Sequence, residues 1–307
     1  MAYWEWGDPA ASHVVVCVHG LTRQGRDFDV LAQALCRKAP GRIRVVCPDV
    51  VGRGQSDWLK DPMGYQIPNY AADMLALLAQ LKPATLDWVG TSMGGLIGMV
   101  ICGQPGLSGA GPSQGAKAPS GGSAAREAAS VGAQSLLPVP VRRLVLNDVG
   151  PVIQWQALQR IGLYLGDTGR FASLQQAADA MWAVSTSFGP HTPEQWLALS
   201  RPMVKPLADG SGALTLHYDP ALAAPFGTVT QESAVQSEAM LWHLYDNIKA
   251  TTLLIRGAQS DLLSPATALA MTQRGPRARL VEFEGVGHAP TFIADNQVEA
   301  VASFLLD

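Results

Sequence analysis

Apolar runs of strand length alternate with stretches of helical spacing along the first third of the chain. Residues 13–18, 42–47 and 84–89 are short segments rich in apolar side chains. Residues 27–38 and 69–81 instead place their apolar side chains three and four positions apart, which is typical of one helix face. Strands that alternate with helices favour an α/β fold with a mostly parallel sheet.

The remaining apolar runs come in the second half of the chain. Residues 141–146, 251–255 and 280–283 each read as a buried strand, and polar residues follow directly after each of them. Because the carboxyl ends of parallel strands meet at one edge of a sheet, we expect these polar residues to lie close together.

Two segments depart from the alternation. Residues 151–247 contain only helical segments split by Gly and Pro, with no strand predicted before Thr251, and we interpret them as a helical lid inserted into a core of residues 1–150 and 248–307. Residues from about 104 to 138 consist mostly of Gly, Ser, Ala, Pro and Gln, a composition that predicts a flexible surface insertion. The large apolar side chains of the lid are expected to form its interior, with one or two facing a substrate: Trp155, Met181, Trp182, Trp196, Met240 and Trp242.

A serine lies at the junction between one predicted strand and the next helix. The sequence there is Gly90-Thr91-Ser92-Met93-Gly94, a G-x-S-x-G spacing. Flanking glycines let the backbone turn sharply, which exposes the serine hydroxyl above the sheet and turns the following N–H inward. Ser92 is therefore the candidate nucleophile, and the N–H of Met93 is a candidate oxyanion donor.

A base and an acid follow in the chain order that this turn predicts. His288 comes after the run 280–283 and is the candidate base, because imidazole is the side chain suited to accept the serine proton near neutral pH. Two aspartates follow strands beside the serine. Asp261 is the predicted acid, since small and polar residues surround it, and Asp148 is the alternative, whose expected role is to accept hydrogen bonds from loop N–H groups.

These motifs together resemble the α/β-hydrolase family of serine hydrolases, in particular its esterases with a helical lid. The matching positions are His19-Gly20, Asp49 with the Gly-Arg-Gly-Gln-Ser-Asp stretch at 52–57, Ser92, Asp261 and Gly287-His288. The resemblance implies the α/β-hydrolase fold and a Ser-Asp-His triad that needs no cofactor. It also implies that the N–H of Leu21 is the second oxyanion donor.

Composition excludes several other classes of protein. The chain of 307 residues has a net charge of −3, which gives no basic surface for nucleic acid. Its start lacks a secretory signal, and no apolar stretch reaches the roughly 18 residues that a membrane helix needs. The four cysteines have no Cys-x-x-Cys spacing and the histidines no ligand-like spacing, so no metal site is predicted. We expect a soluble, cytoplasmic protein acting on a small molecule.

Three functions are consistent with these residues. The first is hydrolysis of carboxylic esters of small or medium acyl groups, lactones or oligoesters through an acyl-serine intermediate. The second is cleavage of a carbon–carbon bond in a diketone by the same triad. The third is ligand binding on a hydrolase scaffold, which predicts a damaged triad. Arg23 also has three possible roles: it pairs with a carboxylate of the substrate, it pairs with Asp27, or it is a solvated surface residue.

Overall fold

A seven-stranded sheet forms the centre of the molecule. The computed structural model describes residues 1–104 and 139–307, so nearly all of the predicted insertion lies outside the described residues. The sheet has the strand order β1-β3-β2-β4-β5-β8-β9, and β1 alone runs antiparallel to its neighbour. The strands of the described residues are β1 (Tyr3–Gly7), β2 (His13–Val18), β3 (Arg44–Pro48), β4 (Thr85–Thr91), β5 (Val141–Asn147), β6 (Val204–Pro206), β7 (Leu214–Leu216), β8 (Thr251–Gly257) and β9 (Arg279–Phe283).

The central strands are buried on both faces, which explains their continuous apolar runs. Val14, Val15 and Val16 of β2 are at most 1% exposed, although successive side chains point to opposite sides of the sheet. Both sides must then be covered, as is usual for parallel sheets. The strands predicted from sequence are confirmed, with ends that differ by one or two residues.

Helices cover the two faces of the sheet. On one face, α2 and α8 pack against α3, and on the other α1 packs against α10. Each face has its own apolar core, one around Trp88 and Met74 and the other around Leu31 and Val301. The α-helices are α1 (Asp29–Lys38), α2 (Ile67–Leu81), α3 (Met93–Gly103), α4 (Trp155–Gly162), α5 (Leu174–Ser185), α6 (Pro193–Ser200), α7 (Ala223–Phe226), α8 (Gln231–Asn247), α9 (Pro265–Gln273) and α10 (Asp295–Leu306).

The segment 151–247 holds five helices and one small hairpin. Helices α5 and α6 enclose a separate apolar cluster that includes Met181 and Trp196. The expectation that this segment contains no strand is wrong, because β6 and β7 pair antiparallel in a second sheet. Each of these strands has three residues, which is too short to leave a two-residue periodicity in the sequence.

No helix in residues 1–104 or 139–307 combines the length and the apolar character of a membrane span. The four cysteines, Cys17, Cys36, Cys47 and Cys102, are all free thiols. Three of them are buried, and Cys36 is partly exposed.

Candidate active site

Ser92 lies in a sharp turn between β4 and α3. Its backbone adopts φ 51° and ψ −114°, a conformation that side-chain-bearing residues rarely adopt. The turn requires both glycines of the motif, since a Cβ on Gly90 would lie 2.3 Å from the carbonyl oxygen of Gly94, and a Cβ on Gly94 would lie 2.0 Å from that of Val18. The sequence motif therefore forms the strand, turn and helix that it predicts.

The imidazole of His288 faces the Ser92 hydroxyl. His288 Nε2 lies 3.0 Å from Ser92 Oγ, within hydrogen-bond distance. The ring belongs to the turn that follows β9, and its side chain is only 12% exposed. The two residues are 196 positions apart in sequence, and the common edge of the parallel strands brings them together.

Asp148 is the carboxylate that contacts the other side of this imidazole. Its Oδ2 lies 2.7 Å from His288 Nδ1, and the side chain is fully buried. The Asp148 backbone has φ 53°, a left-handed conformation that aspartate tolerates better than most residues. Ser92, His288 and Asp148 thus form one continuous hydrogen-bonded chain.

The prediction that Asp261 contacts the imidazole is wrong. Both carboxylate oxygens of Asp261 accept hydrogen bonds from Arg160 of α4, at 2.8 and 3.0 Å, and the Asp261 side chain is 46% exposed. Asp261 lies beyond the end of β8 on the outer surface of its loop, whereas Asp148 comes directly after β5. Because Asp148 follows β5 with no intervening residue, it remains at the strand end, beside the imidazole.

Ser260 is a site residue that the sequence did not single out. Its hydroxyl donates to Asp148 Oδ2 at 2.6 Å, and the Gly257 N–H donates to Asp148 Oδ1 at 2.9 Å. The end of β8 and the loop after it, where the acid is predicted, therefore supply donors to the carboxylate that follows the neighbouring strand β5. The polarity of this loop was a sequence signal that the loop belongs to the site. It did not show whether Ser260 or the adjacent Asp261 faces inward.

Asn147 forms hydrogen bonds with both the turn around Ser92 (the serine turn) and the turn around His288 (the histidine turn). Its side-chain amide donates to Thr91 Oγ1 at 3.0 Å and to the Pro290 carbonyl at 2.8 Å. Its own carbonyl accepts from the Ser92 N–H at 3.0 Å. One buried side chain thus fixes both turns relative to β5.

The residues predicted to hold an oxyanion lie beside Ser92. Met93 is the first residue of α3, so its N–H has no acceptor within the helix. On the other side, a Cβ placed on Gly20 would lie 3.8 Å from Ser92 Cβ, which puts the Gly20–Leu21 peptide next to the serine.

The orientation of the Gly20–Leu21 peptide is fixed by His19. Val50 N–H donates to His19 Nε2 at 3.0 Å, so the ring proton is on Nδ1, which donates to the Gly20 carbonyl at 2.7 Å. Burial lowers the pKa of His19 to about 3, so the ring is neutral at physiological pH. Because C=O and N–H point in opposite directions in a trans peptide, the Leu21 N–H is directed away from His19.

The inserted segment contacts the histidine turn directly. The carbonyl of Ser187, just after α5, accepts from the Gly287 N–H at 2.6 Å, and the Ser187 hydroxyl donates to the His288 carbonyl at 3.0 Å. An aromatic cluster with ring separations of 4.9 to 6.2 Å lies nearby in the same segment: Trp182, Phe188, His191 and Trp196.

Arg23 is bound to Asp27. Its Nε and Nη2 donate to the two carboxylate oxygens of Asp27, both at 2.7 Å. Of the three roles considered for Arg23, pairing with Asp27 is the one found. Among the described residues, no group of three or more His, Cys, Asp or Glu side chains is arranged to hold a metal ion.

Comparisons with known proteins identify the family of the chain. The family model for the alpha/beta hydrolase fold matches residues 13–106. A protein from Cupriavidus necator named 3-hydroxybutyrate-oligomer hydrolase is 45% identical over 305 residues, which cover 99% of this chain and 92% of that protein. The chain belongs to the alpha/beta hydrolase fold family. The predicted family and fold class are confirmed.

Solved structures of other alpha/beta hydrolases superpose over almost the whole chain. A hydrolase of this fold from Novosphingobium aromaticivorans is 32% identical, with a TM-score of 0.73 and coverage of 99% of this chain and 92% of that one. A protein from Rickettsia typhi is 28% identical, with a TM-score of 0.78 and coverage of 99% and 89%. The present chain is thus a hydrolase by family and fold.

Proposed function

We propose that this protein is a serine esterase that cleaves oligoesters of short hydroxy acids through an acyl-serine intermediate. The observation that carries the proposal is the chain of contacts from Ser92 Oγ to His288 Nε2 at 3.0 Å and from His288 Nδ1 to Asp148 Oδ2 at 2.7 Å. The substrate class follows from the 45% identity to a 3-hydroxybutyrate-oligomer hydrolase. A ligand-binding protein on this scaffold would be expected to have lost these contacts.

In the first step, Ser92 Oγ attacks the ester carbonyl carbon while His288 Nε2 accepts the hydroxyl proton. Asp148 keeps the other ring proton on Nδ1 and stabilises the imidazolium. The electron pair of the carbonyl moves onto its oxygen, and the N–H groups of Met93 and Leu21 hold that oxyanion. Each such donor contributes about 3 kcal/mol in a comparable hydrolase.

Collapse of this intermediate releases the alcohol, which takes the proton from His288 Nε2. In an oligoester the leaving alcohol is the hydroxyl end of the next monomer, so the shortened chain leaves as a hydroxy acid. A water molecule then attacks the acyl-serine with His288 as the base, and the acid is released. No metal or cofactor takes part in these steps.

We also propose that residues 151–247 act as a lid over this site. The support is that Ser187 contacts the backbone of both Gly287 and His288. The aromatic cluster around Trp182 then lies beside the acyl pocket and makes it apolar. Two side chains that were expected in the lid interior lie elsewhere, since Met240 is 60% exposed and Trp242 packs against the main core.

The test replaces Ser92 with Ala and measures turnover of p-nitrophenyl butyrate and of the 3-hydroxybutyrate dimer. Losing the nucleophile is expected to lower kcat by a factor on the order of 10⁴ to 10⁶ and to abolish labelling by a fluorophosphonate. The control is Ser303→Ala, on α10 near the opposite end of the sheet, where the hydroxyl donates to Glu299 at 3.0 Å. Wild-type turnover by the Ser92→Ala protein would overturn the proposal.

Assaying a diketone as substrate in parallel with the esters distinguishes the two enzymatic hypotheses, ester hydrolysis and carbon–carbon cleavage. The serine-esterase proposal predicts turnover of the esters and of the dimer. Turnover of the diketone, with labelling of Ser92 and no ester turnover, would favour carbon–carbon cleavage instead.

A further inference from the structure

Arg53 is a buried cation with no carboxylate partner among the described residues. Its side chain lies in the loop between β3 and α2 and is 0% exposed, yet none of the ion pairs within 4.0 Å among residues 1–104 and 139–307 includes it. Burying an unpaired charge costs several kcal/mol in general. Packing alone therefore does not explain why an arginine is buried at this position.

The guanidinium donates to groups on both sides of the serine turn. Arg53 Nε donates to the Leu21 carbonyl at 2.8 Å, and Nη1 donates to the Val51 carbonyl at 2.7 Å. Nη2 lies 3.3 Å from the sulfur of Met93. Leu21 and Met93 are the two residues whose N–H groups are assigned to the oxyanion.

Aromatic rings hold the guanidinium in this position. Its central carbon lies 4.9 Å from the ring centroid of Tyr70 and 5.8 Å from that of Tyr65. Burial lowers the pKa of Arg53, an effect opposed by Tyr70, Tyr65 and the more distant Asp219. Such stacking orients a planar guanidinium and fixes the direction of its N–H groups.

Backbone hydrogen bonds also hold the loop that contains Arg53. Gly54 N–H donates to the His217 carbonyl at 3.0 Å, and Asp219 N–H donates to the Gly52 carbonyl at 2.8 Å. These backbone bonds attach the loop to the inserted segment on both sides of residue 53. The Arg53 side chain is thus not the sole support of its loop, and its Nε and Nη2 reach Leu21 and Met93 outside it.

The Leu21 backbone is held on both sides. His19 and the Arg23 N–H bind the carbonyl of the preceding peptide, at 2.7 and 3.2 Å, and Arg53 binds the carbonyl of the following one. With both peptides fixed, the Leu21 N–H cannot rotate away from Ser92. Preorganised donors of this kind need no rearrangement when the negative charge develops.

We propose that Arg53 is a positioning residue for the oxyanion hole: its guanidinium fixes the Leu21 backbone and the Met93 side chain and holds a positive charge beside the developing oxyanion. The inference rests on the proposed esterase function. It predicts that Arg53 stabilises the tetrahedral intermediate more than the bound substrate.

The experiment compares Arg53→Met, Arg53→Lys and a matched control, Arg143→Met. Arg143 also bonds a backbone carbonyl, that of Phe304, and its central guanidinium carbon lies 5.7 Å from the Phe304 ring centroid, at the opposite end of the sheet. For each protein we would measure kcat and KM for p-nitrophenyl butyrate, Tm, and inhibition by n-butylboronic acid. The boronic acid mimics the tetrahedral intermediate when it bonds to the serine.

Arg53→Met is expected to lower kcat by about 100-fold, with KM changed by less than about threefold, and to weaken boronate inhibition by a similar 100-fold. Arg53→Lys keeps the charge and one donor, so about a tenfold loss is expected. Arg143→Met should change Tm alone. If Arg53→Met fails to fold, the same criteria apply to Arg53→Lys.

Two results would overturn this inference while the esterase proposal stands. One is a kcat within threefold of wild type in the folded Arg53 variants. The other is an equal loss in substrate binding and boronate binding, which a general disturbance of the site would cause. Failure of the esterase proposal is visible separately, as turnover that does not depend on Ser92.

Discussion

The loops after β5 and β8 each contain an aspartate, and the two carboxylates have opposite environments. Asp148, directly after β5, is fully buried and accepts from Gly257 N–H, from the Ser260 hydroxyl and from His288. Asp261, in the loop after β8, is 46% exposed and pairs with Arg160. An aspartate that follows a strand of the sheet is thus not identified as the acid of the site by its residue type and position alone.

The difference between the loops lies in the donors that surround each carboxylate. A buried carboxylate is stable only when its oxygens accept hydrogen bonds, and Asp148 accepts one from Gly257 at the end of β8 and one from Ser260 in the loop that follows. The same loop leaves Asp261 in contact with solvent, where an ion pair contributes little. The loop after β5 therefore carries the buried carboxylate, and β8 with its loop supplies hydrogen-bond donors to it.

The largest predicted effect tests which aspartate is the acid. Asp148→Asn keeps the size and the tolerance of the left-handed backbone but offers the wrong partner to the imidazole, so kcat should fall by about 10³ to 10⁴, as for a serine protease aspartate. Asp261→Asn is the matched control and should keep kcat within about threefold. The measurement is ester turnover at saturating substrate, and the reverse ranking would return the acid to Asp261.

A smaller effect is predicted for Ser260→Ala. Removing a hydroxyl that bonds a carboxylate costs about 1.5 kcal/mol or more, so kcat should fall roughly tenfold because Asp148 is less well held. Ser211→Ala removes a similar serine-to-aspartate bond, to Asp209 on the exposed hairpin loop, and should leave kcat unchanged. Equal kcat values for the two variants would mean that Ser260 does not support the acid.

The smallest effect is predicted for the Arg160–Asp261 pair. A double-mutant cycle with Arg160→Met and Asp261→Asn should give a coupling energy below about 1 kcal/mol, because both side chains are partly exposed. The measurement is the free energy of unfolding in urea. A coupling of several kcal/mol would show that this exposed pair is as important to stability as a buried one.

The sequence predicted the parts of the site that depend on local backbone geometry. Ser92 was identified because two glycines must flank a turn of this tightness, and His288 because it follows the strand that ends at the same edge of the sheet. The hairpin in the inserted segment was missed because its strands of three residues leave no periodic signal. Ser260 and Arg53 were not assigned roles because their partners are distant in the chain.

The sequence by itself determined the fold and predicted the candidate nucleophile Ser92 and the candidate base His288, since apolar periodicity and turn chemistry are local properties of the chain. Tertiary structure alone decided which of Asp148 and Asp261, each predicted to follow a strand, contacts the His288 imidazole. Tertiary structure likewise decided that Arg53 contacts Leu21 and Met93. Burial and hydrogen bonding between distant segments exist only once the strands have assembled into the sheet.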